Sequence, residues 1–333
     1  MAGRRVVKGC GIGCAGLLGV LLIVAVVLAI WKPWAPEIEV VEPAAGGQRV
    51  TEDGLIGNFY PAPGSGRAPA ILVLGGSEGG LSRRSDGMAR ALAAEGYSTL
   101  ALSYWGAPGQ VPRMEELPLE TFDTALAWLG RQERVDPDRI GILGGSKGAE
   151  AALLVATRSP DVKAVVANVP SHVVWAGIDL AEIWRMVNIG STWSLGGHPV
   201  PYVPYAQSGS QQETVELYRT SLSTQPDAEA AATIPVETSE APMLLVCGEN
   251  DTLWPSCEMA RKVQTRAEIH DGPPVQVLAY PDAGHFAQGP PADPASEHYQ
   301  HLADLGGTIE GNQAARQDSW PKVLTFFEKN LQG

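Results

Sequence analysis

Hydrophobic and polar positions along the chain follow two rhythms in turn. Short, continuous apolar runs at residues 70–74, 98–103, 140–143, 162–168, 243–247 and 275–280 have the length and composition of strands buried on both faces. Between them, apolar residues recur at helical spacing at 88–94, 119–129, 146–157, after Trp254, and at 318–331, where Trp320, Val323, Leu324, Phe327 and Leu331 share one face. This alternation is a βαβ series. It predicts an α/β fold with a mostly parallel central sheet and helices on both faces.

The stretch 170–241 breaks the rhythm. It carries only short helical pieces, around 180–187 and 211–222, and holds Trp175, Trp184, Trp193, Tyr202 and Tyr205. An irregular segment of this size within a compact domain reads as a lid-like insertion, with a packed satellite cluster as the alternative. Pro33, Pro36, Pro43 and Gly46-Gly47 mark a linker behind the N-terminus. The expected organisation is therefore an anchor over 1–35, a linker with the first strands over 36–66, and one catalytic domain over 67–333.

The anchor is expected because residues 9–31 contain no charge. As a helix rising ~1.5 Å per residue they reach roughly 35 Å, enough for a hydrocarbon core of ~30 Å. A cleaved signal has a shorter apolar region of ~7–15 residues and a small-residue cleavage site, which is not found after Ile30. Arg4, Arg5 and Lys8 precede the run and Lys32 follows it, so the positive-inside rule places the N-terminus in the cytoplasm and the folded domain outside.

Charge sharpens that division. Of 24 basic residues four lie in the first 32 positions, which hold no acid, so the remainder sets 20 basic against 37 acidic residues. A surface this acidic repels phosphate backbones and argues against a nucleic-acid partner. The four cysteines show no zinc-site spacing, and no cofactor is implied. Cys247 and Cys257 would pair outside the cytoplasm or remain buried thiols.

The chemistry is carried by Gly144-Gly145-Ser146-Lys147-Gly148, a G-x-S-x-G with a strand before it and an Ala/Leu-rich helix after it. In that context the serine sits on a sharp turn with its hydroxyl at the carboxyl end of the sheet. A serine nucleophile needs a base, and the base needs an orienting acid. Asp251 follows the strand at 243–247, and His285 follows the strand at 275–280. All three emerge past strand ends, in the order serine, acid, histidine of the α/β-hydrolases. Glu249 is the second candidate for the acid, whereas Asp282 is too near His285 along the chain to orient it. The oxyanion donors are expected at the backbone N–H of Lys147 and in the loop Gly75-Gly76-Ser77-Glu78-Gly79-Gly80, at Ser77 or Glu78.

That glycine-rich loop, together with Tyr97 to Leu102, Gly144 to Glu150, Leu253-Trp254-Pro255-Ser256 and the tail from Gly306 through Trp320 to Phe327, resembles the C-terminal catalytic domain of the acyl-CoA thioesterase and bile acid-CoA:amino acid N-acyltransferase family. Dienelactone-hydrolase-like enzymes are the neighbouring resemblance. It spans residue 70 to the C-terminus and implies an α/β-hydrolase fold with Ser146, Asp251 and His285 as nucleophile, acid and base. In the family a serine nucleophile accompanies thioester hydrolysis and a cysteine accompanies transfer to an amino acid, so Ser146 implies a hydrolase. The family's N-terminal β-sandwich has no counterpart here. An anchor before the domain implies in turn a membrane-anchored extracytoplasmic carboxylester or dienelactone-type hydrolase, acting on lipid-like esters or thioesters, as the competing activity. N-acyl transfer, or an inactive binding protein on the same fold, are the remaining readings.

Overall fold

The computed structural model describes residues 35–207 and 214–332. Residues 38–179 and 185–332 belong to one compact unit, and residues 35–37 and 180–184 group separately. Among the described residues no helix is long and apolar enough to cross a membrane. The apolar run 9–31, on which the expected anchor rests, lies outside the described residues.

The strands are β1 (Gln48–Val50), β2 (Ile56–Tyr60), β3 (Ala68–Leu74), β4 (Ser98–Ser103), β5 (Leu117–Pro118), β6 (Val135–Gly145), β7 (Val162–Asn168), β8 (Trp193–Leu195), β9 (His198–Pro199), β10 (Met243–Gly248) and β11 (Val275–Tyr280). The helices are α1 (Arg83–Ala94), α2 (Glu120–Gly130), α3 (Lys147–Ala156), α4 (Thr214–Thr224), α5 (Pro226–Ala232), α6 (Ser256–Ile269), α7 (Glu297–Gln300) and α8 (Ile309–Leu331). Eight strands form one sheet in the order β1-β2-β4-β3-β6-β7-β10-β11. The pairings β1–β2 and β2–β4 are antiparallel, and every other pair in this sheet is parallel.

Strand alternation explains why this sheet needs cover on both sides. On one face Leu72, Leu100, Ile142, Val165 and Leu245 join the side chains of α2, α3 and α6. On the other, Ile71, Val73, Leu143, Val166 and Val246 pack against Met88 and Leu92 of α1 and Trp320, Val323, Phe327 and Leu331 of α8. Residues one apart in sequence thus enter different cores, and the runs read as continuously apolar for that reason.

The last helix begins at Ile309, nine residues before the start expected from its apolar face. Its first turns are fastened by polar groups instead. The Thr308 side chain accepts from Gly311 N, and the buried Asn312 side chain accepts from Gly284 N at 3.0 Å and donates to Gly306 O at 3.0 Å. Within 170–241, β8 and β9 form a small sheet with β5. Val173, Trp175, Ile189, Val203, Tyr205, Tyr218 and Leu222 build a separate apolar cluster with Trp254 and Met259.

Candidate active site

The parallel register brings the carboxyl ends of β6, β7, β10 and β11 to one sheet edge, and the three candidate residues follow β6, β10 and β11. Ser146 has φ 55° and ψ −121°, a backbone region that a residue with a side chain adopts only when its surroundings force it. The flanking glycines supply that force. A Cβ on Gly144 would lie 2.0 Å from Gly148 O, and one on Gly148 would lie 2.2 Å from Gly75 O. Strand, turn and helix meet too closely for any other residue, so the motif's spacing follows from packing. Ser146 N donates to Asn168 O at 3.0 Å, which pins the turn to the neighbouring strand.

Asp251 and His285 meet as a buried pair. His285 Nδ1 lies 2.9 Å from Asp251 Oδ2, and the two side chains are 4% and 1% exposed. The carboxylate is held from behind: Leu253 N and Trp254 N donate to Oδ1 at 2.9 and 3.3 Å, and Ser256 Oγ donates to Oδ2 at 2.7 Å. Its oxygens are thereby fixed before the imidazole docks on them. Glu249, the alternative acid, instead pairs with Arg261. The imidazole is set by its own backbone, whose N donates to Leu305 O at 3.0 Å, and by the Trp254 ring at 6.1 Å. Ser146 forms no side-chain hydrogen bond among the described residues. Its turn adjoins the histidine loop through Gln288, whose Oε1 would be 2.7 Å from a Cβ on Gly145 and whose Nε2 donates to His285 O at 3.5 Å.

On the other side of Ser146 stands the glycine loop after β3. A Cβ on Gly76 would meet Ser146 Cβ at 3.2 Å, so the loop runs directly past Ser146. Tyr104 fixes it, donating from Oη to Gly75 O at 2.7 Å and Gly76 O at 3.1 Å. Burial pushes this phenol well above its ordinary pKa, so it remains a donor. The first amide of α3, at Lys147, has no acceptor within the helix and opens at the same turn.

The side chain of Lys147 does something that spacing did not announce. It turns inward, and its Nζ donates to both carboxylate oxygens of Glu150 at 3.0 and 2.9 Å, both residues being fully buried. Glu150 also accepts from Trp193 Nε1 at 2.7 Å and Trp175 N at 3.3 Å. Burial pushes Lys147 down and Glu150 up, and their mutual attraction opposes both shifts. Helix α3 is thus tied to the segment beyond β7. The available signal was the pair of charged residues three apart in an otherwise Ala/Leu-rich helix. Cys247 and Cys257, left open between thiols and a bridge, form a disulfide across the loop that carries Asp251.

The sequence profile described as BAAT / acyl-CoA thioester hydrolase C terminal matches residues 117–333. The chain belongs to that family. Among its relatives are the rat mitochondrial acyl-coenzyme A thioesterase 2, 27% identical over 91% of this chain and 69% of its own length, and the mouse peroxisomal succinyl-coenzyme A thioesterase, 27% identical over 85% of this chain. The chain spans 65% of the second relative's length. A solved structure from Klebsiella pneumoniae assigned as a dienelactone hydrolase superposes with a TM-score of 0.55 at 17% identity, covering 85% of this chain and 97% of that one. A puromycin-hydrolyzing peptidase from Mycobacterium tuberculosis superposes with a TM-score of 0.55 at 15% identity, over 87% of this chain and 40% of its own. These likenesses establish an α/β-hydrolase-like fold with a mostly parallel sheet, as the alternation of runs predicts.

Proposed function

We propose that the protein is a serine-dependent acyl thioester hydrolase working through an acyl-enzyme. The observation that carries this reading is the buried Asp251–His285 pair at 2.9 Å on the sheet edge where the strained turn presents Ser146. His285 Nδ1, held by Asp251, leaves Nε2 to take the proton as Ser146 Oγ attacks the acyl carbonyl. The backbone N–H groups of Lys147 and Ser77 stabilise the oxyanion. Collapse breaks the carbon–sulfur bond, His285 returns the proton to the leaving thiolate, and water, deprotonated by the same histidine, releases the acid. The thioester assignment draws on the family and on its acyl-coenzyme A thioesterase relatives. Replacing Ser146 with Ala is expected to abolish hydrolysis of acyl-CoA and of p-nitrophenyl esters at an unchanged circular dichroism spectrum. Wild-type rates in that variant refute the mechanism.

A second reading keeps the machinery and changes the substrate: a membrane-held, extracytoplasmic hydrolase of carboxylesters or lipid-like thioesters. The Cys247–Cys257 disulfide favours it, since such bonds persist in oxidising compartments, and the basic-flanked apolar run 9–31 supports it independently. A panel comparing acyl-CoA with simple esters on the intact chain separates the two by kcat/KM.

A further inference from the structure

The sheet face covered by α1 and α8 ends in a group of cations beside the candidate base. Phe286 follows His285, and their rings are 6.2 Å apart. The Arg84 guanidinium, from the first turn of α1, lies 4.3 Å over the centroid of the Phe286 ring. Arg316, from α8, is 7% exposed and is aimed at the same loop: Nε donates to Pro290 O at 2.9 Å and Nη1 to Phe286 O at 3.4 Å. His298 closes the group, its ring 6.3 Å from that of Phe286.

Neither arginine makes an ion pair among the described residues. Arg316 Nη2 has no acceptor there, yet it is not sealed from solvent. It lies beside Gly289, whose φ of 95° favours glycine; a Cβ there would lie 3.4 Å from Nη2 and would crowd Met88 Cε at 2.9 Å. The acid in electrostatic reach is Glu78, which faces Arg84 and accepts from Ser82 Oγ. The cations also act on each other. Arg316 is pushed down to about 10, first by burial and then by Arg84. His298 is pushed down to about 4 by burial, then by Arg316 and Arg84.

Holding a buried guanidinium near a second one, with neutral carbonyls as partners, costs stability that a negatively charged ligand would return. It is also an exception to the charge of the molecule, whose sequence carries 37 acidic against 24 basic residues. We infer that Arg84 and Arg316, flanking Phe286, form an anion subsite that receives a carboxylate or phosphate carried by the acyl substrate. This rests on the hydrolase reading above. The anion can belong to the acyl chain, as a terminal carboxylate, or to the leaving group, as a phosphate of a coenzyme A thioester. Either source places a negative charge next to the loop that supplies the base, and selects substrates that bear one.

The test uses the full chain and three donors: an uncharged butyryl N-acetylcysteamine thioester, its succinyl counterpart with a free carboxylate, and butyryl-CoA. Arg84→Gln is the primary variant, because that side chain is exposed and its loss leaves no buried group unpaired. The ratio of kcat/KM for a charged donor over the uncharged one is expected to fall about ten- to a hundredfold, the usual weight of a charge-assisted hydrogen bond. A fall for the succinyl donor assigns the site to the acyl carboxylate, and a fall for butyryl-CoA assigns it to the phosphate. Isothermal titration of succinate and of desulfo-coenzyme A into Ser146→Ala protein gives a readout without turnover. Weakening of either ligand at least tenfold by Arg84→Gln supports the subsite even if hydrolysis fails. Ratios and affinities that stay within twofold in both Arg84→Gln and a folded Arg316→Lys overturn it.

Discussion

At the scale of single residues, the site depends on atoms that have no alternative place. Gly144 and Gly148 are fixed by backbone contact, and Asp251 receives three donors before it meets His285. Lys147 faces two ways: its amide opens at the Ser146 turn while its ammonium is buried on Glu150. Glu150→Gln is therefore expected to destabilise the protein by about 3–5 kcal/mol, because it leaves a buried ammonium uncompensated. Lys147→Met combined with Glu150→Gln is expected to recover much of that loss, because the amide oxygen can still accept from Trp193 Nε1 and Trp175 N. Urea denaturation of the two variants measures both effects, and equal stability of Glu150→Gln and wild type contradicts the buried pair. Ser146 on the turn after β6, and Asp251 and His285 past the ends of β10 and β11, were legible in the sequence because a motif and strand ends mark those positions, and the structure brings Asp251 and His285 to 2.9 Å. Lys147 with Glu150, and Ser256 behind Asp251, were not. Their partners come from 25 to 43 residues away along the chain in the case of Trp175 and Trp193, and no local pattern encodes such contacts. Ser256 sits only five residues from Asp251, but its role depends on the direction of a side chain at the first turn of α6.

At the scale of elements, apolar runs marked the strands because each of them feeds two cores. The same rule hid the start of α8, whose first turns bury Asn312, Gln313 and Arg316 rather than an apolar stripe. Those polar residues hold the histidine loop and the carbonyls after it, so the helix serves the site before it serves the core. The short α7 brings His298 into this region. Its folded pKa of about 4 lies below the ordinary 6.5, so acid protonates the unfolded chain first. The stability it contributes is present above pH 6.5 and is lost as pH falls through about 4. His298→Gln is expected to flatten the fall of Tm between pH 6.5 and 4, and a Tm profile parallel to wild type contradicts this. The segment 170–241 was marked by its aromatic content without a clear outcome. It combines a small sheet with an apolar cluster that reaches Trp254, the residue whose ring faces His285.

At the scale of the whole molecule, three features bear on where the hydrolase works. Residues 33–333 carry the acidity, the first 32 residues carry only positive charge, and a disulfide closes the loop of the candidate acid. The second reading proposed above places the domain outside the cytoplasm behind residues 9–31. A C-terminal alkaline phosphatase fusion is expected to be active in intact cells and a C-terminal green fluorescent protein fusion to be dark; the reverse pattern contradicts that orientation. The acidic surface also gives the cation group on α1 and α8 its significance, because an anionic substrate must otherwise approach against the net charge. Fold and family do not by themselves specify the chemical step. The most direct measurement is to mix the protein with an acyl thioester, quench in acid within the first turnovers, and locate the added acyl mass by peptide mass spectrometry. An acyl-enzyme mechanism requires the acyl group on Ser146 and its absence in Ser146→Ala. An acyl adduct on any other residue, or steady turnover by Ser146→Ala, contradicts it.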